Sequence, residues 1–172
     1  LPLFGPDGNA RMPSTRNFVE RLIGATGAFP ELAGYLAPHA AKYRIDVTNV
    51  PAAGNRRWAD FGTADLRLAA IPVHHGNTPA LAWRATLGAQ SITFTGDFNN
   101  AGNLIGAFAK GSDALVVDHS IEEGARGEVR DQHVLPSQIG RIAAASGVRM
   151  VILSHRMNRT RGRETLTENA IR

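Results

Sequence analysis

Apolar and polar positions change rhythm about halfway along the chain. The opening run LPLFGP reads as a strand stopped by Gly5-Pro6. Thr15–Ile23 carries Phe18 and Leu22 one helical turn apart, behind Ser14 or Thr15 as N-cap, and predicts a helix. A second helix is predicted over 30–42, with Pro30 at an early helical position. Residues 44–50 alternate, with Ile45, Val47 and Asn49 in phase, as in a strand. Further strands are predicted over 57–61, 64–73, 80–87 and 91–95, and Gly88-Ala89 makes a tight turn before the last. The second half then alternates: a short helix over 103–110, a strand over 113–117, a helix over 136–146, a strand over 148–153 and a helix from 165 onward. Strand-rich sequence followed by alternating helix and strand predicts an α/β domain over 1–172, with helices covering a partly antiparallel sheet. Both ends stop abruptly inside elements, so the chain is expected to be an internal or C-terminal portion of a larger domain.

Composition narrows the picture a little. A chain of 172 residues, 43% hydrophobic and 20% charged, can bury an ordinary core. No apolar run reaches the length of a membrane span, and residues 1–6 lack the basic start of a signal peptide. With no cysteine there is no disulfide, thiolate site or cysteine nucleophile, and the compartment stays open between cytosol and periplasm. The net charge is +4, and Arg156, Arg159, Arg161, Arg163 and Arg172 crowd the last segment. Such a patch attracts phosphate or nucleic acid, or is simply a solvated surface.

The candidate chemistry sits past strand ends. His75 follows LAAIPVH, Asp97 follows SITFTG, and His155 follows MVILS. Rigid strand ends leading into loops let side chains converge on a pocket, and His, Asp and His suit zinc or similar ions. Each has a plainer reading: a surface histidine, or an aspartate capping a turn or the helix near Asn103.

The order of motifs around these residues resembles the hydrolase branch of the metallo-β-lactamase superfamily that holds ribonuclease Z and the arylsulfatase-like proteins. The matching features are His75, the aromatic–Arg pair Trp83-Arg84, Gly96-Asp97, the strand DALVVDHS, the His133-VLPSQIGRIAA segment and the final VILSHRMNRT. The resemblance implies an αββα sandwich, here lacking its N-terminal part and final strand. It implies that His75 binds a first metal, Asp97 bridges two metals and His155 binds the second. It makes His133 a proton donor near the leaving group, oriented by Asp118, an arrangement that holds one tautomer. Arg159 is the expected phosphate contact. His74 is an alternative to His75, one register step away, and His119 an alternative to Asp118.

The family motif His-x-His-x-Asp-His is not in the sequence. Without it each ion has two expected protein ligands, fewer than the three usual in catalytic zinc sites, so this chain alone is expected to bind metal weakly and be inactive. The implied function is a metal-dependent hydrolase of ester-type substrates, phosphodiesters first, with two divalent ions, zinc before manganese or iron. A small-molecule or nucleic-acid ester would be its partner, with no membrane, and a homodimer is expected from the branch. The alternative is a catalytically silent anion- or nucleic-acid-binding domain of the same fold.

Overall fold

The structure, a computed structural model, describes residues 1–38, 42–54 and 56–172, and of 58–60 the backbone alone. The chain separates into two compact units, Leu1–Ala52 and Ala53–Arg172. In the first, β1 (Pro2–Pro6) pairs in parallel with β2 (Asp46–Val50). Helix α1 (Thr15–Ile23) starts where expected, because Ser14 Oγ accepts from the Asn17 amide at 3.2 Å. It is tied to the strand pair by Thr15 Oγ1 donating to the Pro6 carbonyl at 2.9 Å and by the Arg16 amide donating to Asn49 Oδ1 at 2.9 Å. Val19 is buried, whereas Phe18 and Leu22 are exposed. Over 30–42 the expected helix is replaced by a 3₁₀ segment, Pro30–Tyr35. Pro38 explains the early stop, since it lacks an amide hydrogen and drives the residue before it out of helical geometry. The remainder of that expectation, over 39–41, lies outside the described residues.

The second unit is a six-stranded sheet in chain order: β3 (Trp58–Gly62), β4 (Leu66–His75), β5 (Thr78–Leu87), β6 (Gln90–Phe94), β7 (Ala114–Asp118) and β8 (Met150–Ser154). The first four strands pair antiparallel, and β6, β7 and β8 pair in parallel. Sequence dictates this change. Short turns at Gly76-Asn77 and Gly88-Ala89 permit hairpins, while the later connections are long enough to return along helices. Those connections carry α2 (Ile105–Phe108), α3 (Glu128–Gln132) and α4 (Pro136–Ser146), and α5 (Glu164–Ile171) follows β8. Helix α3 has no counterpart in the sequence expectation. Ala69, Ile71, Ala82, Leu115 and Val117 of the sheet form one core with Phe98, Ile105, Phe108, Ile139 and Ile142. Ile92 and Phe94 of β6 and Met150 and Ile152 of β8 pair in register with Ala114 and Val116, out of phase with Leu115 and Val117, and are exposed on the other face. Helix α4 packs against both α2 and α5. A Cβ on Gly140 would stand 1.9 Å from the Ile171 carbonyl oxygen, so only glycine permits this approach of α5. No helix among the described residues is long and apolar enough to cross a membrane.

Arg84 of β5 joins the sheet to its helical cover. Its guanidinium donates to the Lys110 carbonyl at 2.9 Å, the Phe108 carbonyl at 3.5 Å and Ser91 Oγ at 3.1 Å. It thereby occupies carbonyls left open at the C-terminus of α2. The Ser91 amide in turn donates to Asp113 Oδ2 at 2.8 Å, which locks the start of β7 to β6.

His119 follows β7 and is 2% exposed. Its Nε2 lies 3.0 Å from Thr167 Oγ1 on α5, and its Nδ1 has no partner among the described residues. Burial pushes its pKa below 6.5, nearby Arg156 adds to the fall, and Asp118 opposes it. The folded chain therefore binds the second proton less readily than the unfolded one, and stability rises with pH across this window.

Replacing Arg84 by Met is expected to cost about 1–3 kcal/mol in urea unfolding, the penalty of stranding acceptors that a neutral side chain cannot serve. For His119 the stabilising contribution is complete above about pH 6.5 and is lost as pH falls through the lowered folded value. His119→Gln should flatten that part of the stability–pH curve measured by thermal unfolding, and an unchanged slope would count against it.

Candidate metal centre

Strand direction builds this centre. β4 runs antiparallel to β5 and β5 antiparallel to β6, so β4 and β6 point the same way, and β7 and β8 follow β6. The C-terminal ends of β4, β6, β7 and β8 therefore share one edge of the sheet. That edge presents His75 at the end of β4, Asp97 three residues past β6, Asp118 at the end of β7 and His155 just past β8. His133 arrives between α3 and α4.

The backbone at these exits is specialised. Gly96 has φ +61°, and a Cβ there would stand 3.0 Å from the Leu81 carbonyl oxygen, so glycine lets the chain turn tightly into Asp97. His155 itself adopts φ +52°, an uncommon left-handed conformation for a side-chain-bearing residue. Backbone of this kind costs energy and concentrates at functional sites.

One ligand atom from each of Asp97, Asp118, His133 and His155 lies within 4.8 Å of the others. His155 Nε2 stands 3.4 Å from Asp97 Oδ2, too far for a normal hydrogen bond. Two donors bound to one tetrahedral zinc, each at about 2.0–2.1 Å, stand roughly 3.3–3.4 Å apart. The donor set and this spacing fit a divalent ion. The ring of His75 is 5.3 Å from that of His133, and the His133 ring is 5.7 Å from that of His155. His75 Nδ1 donates to the Gln132 carbonyl at 2.7 Å, which leaves the Nε2 lone pair open to a ligand.

Asp118 and His133 form a buried pair, 2% and 5% exposed. His133 Nδ1 donates to Asp118 Oδ2 at 2.7 Å, and Ser120 Oγ donates to Asp118 Oδ1 while lying 3.1 Å from His133 Nδ1. Since a carboxylate only accepts, it fixes the proton on Nδ1 and keeps Nε2 for a ligand or substrate. Burial raises the Asp118 carboxyl above the usual carboxylate range; the bonds from Ser120 and His133 pull it back, and Asp97 adds to the rise.

Of the residues singled out in the sequence, Asp97, Asp118, His133 and His155 come together, and His75 stands beside His133. Asp118 and His133, expected as an orienting carboxylate and a proton donor, lie within this group and are bonded to each other. His74 is exposed and its Nδ1 accepts from Asn99 Nδ2 at 2.7 Å, outside the group. His119 is bonded to Thr167 instead of the group. Arg159 lies exposed in the 3₁₀ turn Asn158–Thr160 that follows His155. Ser120, Asn99 and the Gln132 carbonyl were not anticipated. Ser120 sits two residues from Asp118, but nothing in its type marks it as a partner.

The β-lactamase superfamily domain matches residues 12–156. No curated protein matches the sequence. Among solved structures the chain is similar to the metallo-β-lactamase fold protein YhfI from Bacillus subtilis, with 17% identity and a TM-score of 0.66, over 99% of this chain and 57% of that one. It is also similar to the short form of human tRNase Z, at 14% identity and a TM-score of 0.67, over 92% of this chain and 61% of the other. Yeast PDE1 gives 14% identity and a TM-score of 0.60, over 98% and 53%. The chain thus spans between half and two thirds of the length of these proteins, and its α/β architecture is theirs. By the extent of the family match, the chain belongs to the β-lactamase superfamily.

Proposed function

We propose that this chain carries the catalytic centre of a metal-dependent hydrolase of ester-type substrates, phosphodiesters first, in the ribonuclease Z and arylsulfatase-like branch. The observation that supports it is the convergence of Asp97, Asp118, His133 and His155 at one sheet edge, two of them paired as an oriented carboxylate–imidazole couple. The similarity to a solved tRNase Z favours phosphorus esters over other esters.

In this reading His75, Asp97 and His155 would hold two divalent ions, zinc before manganese or iron. A bound ion supplies an acidified water and a counter-charge for the oxygen that becomes anionic. The protein supplies the rest. Asp118 and Ser120 keep the His133 ring turned with Nε2 outward; with a second proton taken up from solvent the ring is an imidazolium, and its Nε2 proton passes to the leaving oxygen. Arg159, in the turn after His155, offers a guanidinium that grips two phosphate oxygens at once.

Purified protein titrated with zinc is expected to bind the ion weakly, and Asp97→Asn and His155→Ala to abolish that binding, as read by competition with a chromophoric chelator. A wild-type protein that binds none at millimolar zinc would sink the metal reading and leave the anion-binding alternative. Measured with zinc in excess to fill the site, His133→Ala should keep the zinc and lower hydrolysis of bis-(p-nitrophenyl) phosphate by about 10²–10⁴-fold relative to the zinc-loaded wild type. Loss of zinc in that variant would make His133 a ligand in place of a proton donor.

A further inference from the structure

Helix α3 spans five residues, too few to be stable alone. Yet its backbone carbonyls receive the supports of the metal centre. The Gln132 carbonyl accepts from His75 Nδ1 at 2.7 Å. The Asp131 carbonyl accepts from the Gly76 amide at 3.2 Å and from Asn99 Nδ2 at 2.5 Å. The helix thus buckles the end of β4 to the loop that follows Asp97, and His133 is the first residue beyond it.

What holds the buckle shut is Arg130. Its Nη1 donates to the Asn99 carbonyl at 3.1 Å and to the His133 carbonyl at 3.0 Å, and its Nη2 donates to Gln138 Oε1 at 2.8 Å. Gln138 Oε1 also accepts from the Leu135 amide at 3.3 Å, in the first turn of α4. One half-buried guanidinium therefore joins the loop after Asp97, the backbone of His133 and the start of α4. Three acceptors in fixed directions call for the planar fork of arginine; an ammonium on a flexible stem does not reproduce it.

We propose that Arg130 is a positioning residue of this centre: it sets where His133 stands relative to Asp97 and to the anchor of His75, without touching the ion or the substrate. The zinc readout below rests on reading the cluster as a metal centre; the proton readout does not.

The test compares the wild-type chain with Arg130→Ala, Arg130→Lys and, as a control, Arg141→Ala, an exposed arginine on α4. In the zinc-free wild type, the Nδ1 proton of His133 should appear by NMR as a downfield, slowly exchanging resonance, because it is buried against Asp118. Both Arg130 variants should lose that slow exchange while the amides of β6, β7 and β8 stay protected. Their zinc affinity, read by competition with a chromophoric chelator, should fall about 10-fold or more, the usual effect of losing an outer support. A low concentration of guanidinium should restore both in Arg130→Ala, and Arg141→Ala should behave as wild type. Should Arg130→Ala fail to fold, Arg130→Lys carries the same comparison. A folded Arg130 variant with the wild-type resonance and zinc affinity overturns the proposal, as does a wild-type chain without the resonance. If wild type binds no zinc, the metal reading falls, and the resonance still decides the role of Arg130.

Discussion

The shared direction of four strands governs this molecule. Because β4, β6, β7 and β8 all end at one edge, residues separated by up to eighty positions in sequence meet without any loop having to cross the sheet. The two hairpins around β5 set this direction for β4 and β6, and the parallel pairing extends it to β7 and β8. The core below the sheet fixes the register: sliding β7 by one residue would turn Leu115 and Val117 to the exposed face and move Asp118 off the edge. Packing and chemistry are thus the same constraint seen from two ends of the strands.

At that edge the molecule accepts local costs. A buried carboxylate is expensive, and Asp118 is sustained by Ser120 and His133. The left-handed backbone of His155 is a further cost, held by the β8 ladder before it and by the turn after it, where Thr160 Oγ1 bonds to the Met157 carbonyl at 3.0 Å. A divalent cation among Asp97, Asp118, His133 and His155 would offset the gathering of two carboxylates in one place, since their mutual repulsion is what a positive charge relieves.

Much of this was legible in the sequence, for identifiable reasons. The strands reveal themselves by apolar runs, and their bounds came within about two residues of those observed, the usual uncertainty at element ends. Asp97, Asp118, His133 and His155 were marked by motif order, and the structure gathers them. Helix α3 was not legible, because GEVRDQ carries no periodic apolar face; it is held by its carbonyls and by Arg130, not by packing. Backbone acceptors such as the Gln132 carbonyl leave no trace in residue type, and neither does the choice between His74 and His75, which turns on strand register alone. The helix expected over 30–42 overlooked Pro38, and the apolar pair Phe18 and Leu22 predicted a helix correctly while saying nothing about burial.

The contact at Gly140 links distant parts of the second unit. Helix α5 rests on α4 at a point where no side chain can intervene, and α5 carries Thr167, the partner of His119. His119 directly follows Asp118 and donates its amide to the Ser154 carbonyl at 2.9 Å, one residue before His155. Adding a single methyl group at residue 140 would therefore lever the last helix outward, admit water to an imidazole sealed beneath it, and loosen the exits of β7 and β8 together. Helix α5 is thereby fastened to the edge where Asp118 and His155 emerge, through one missing carbon atom.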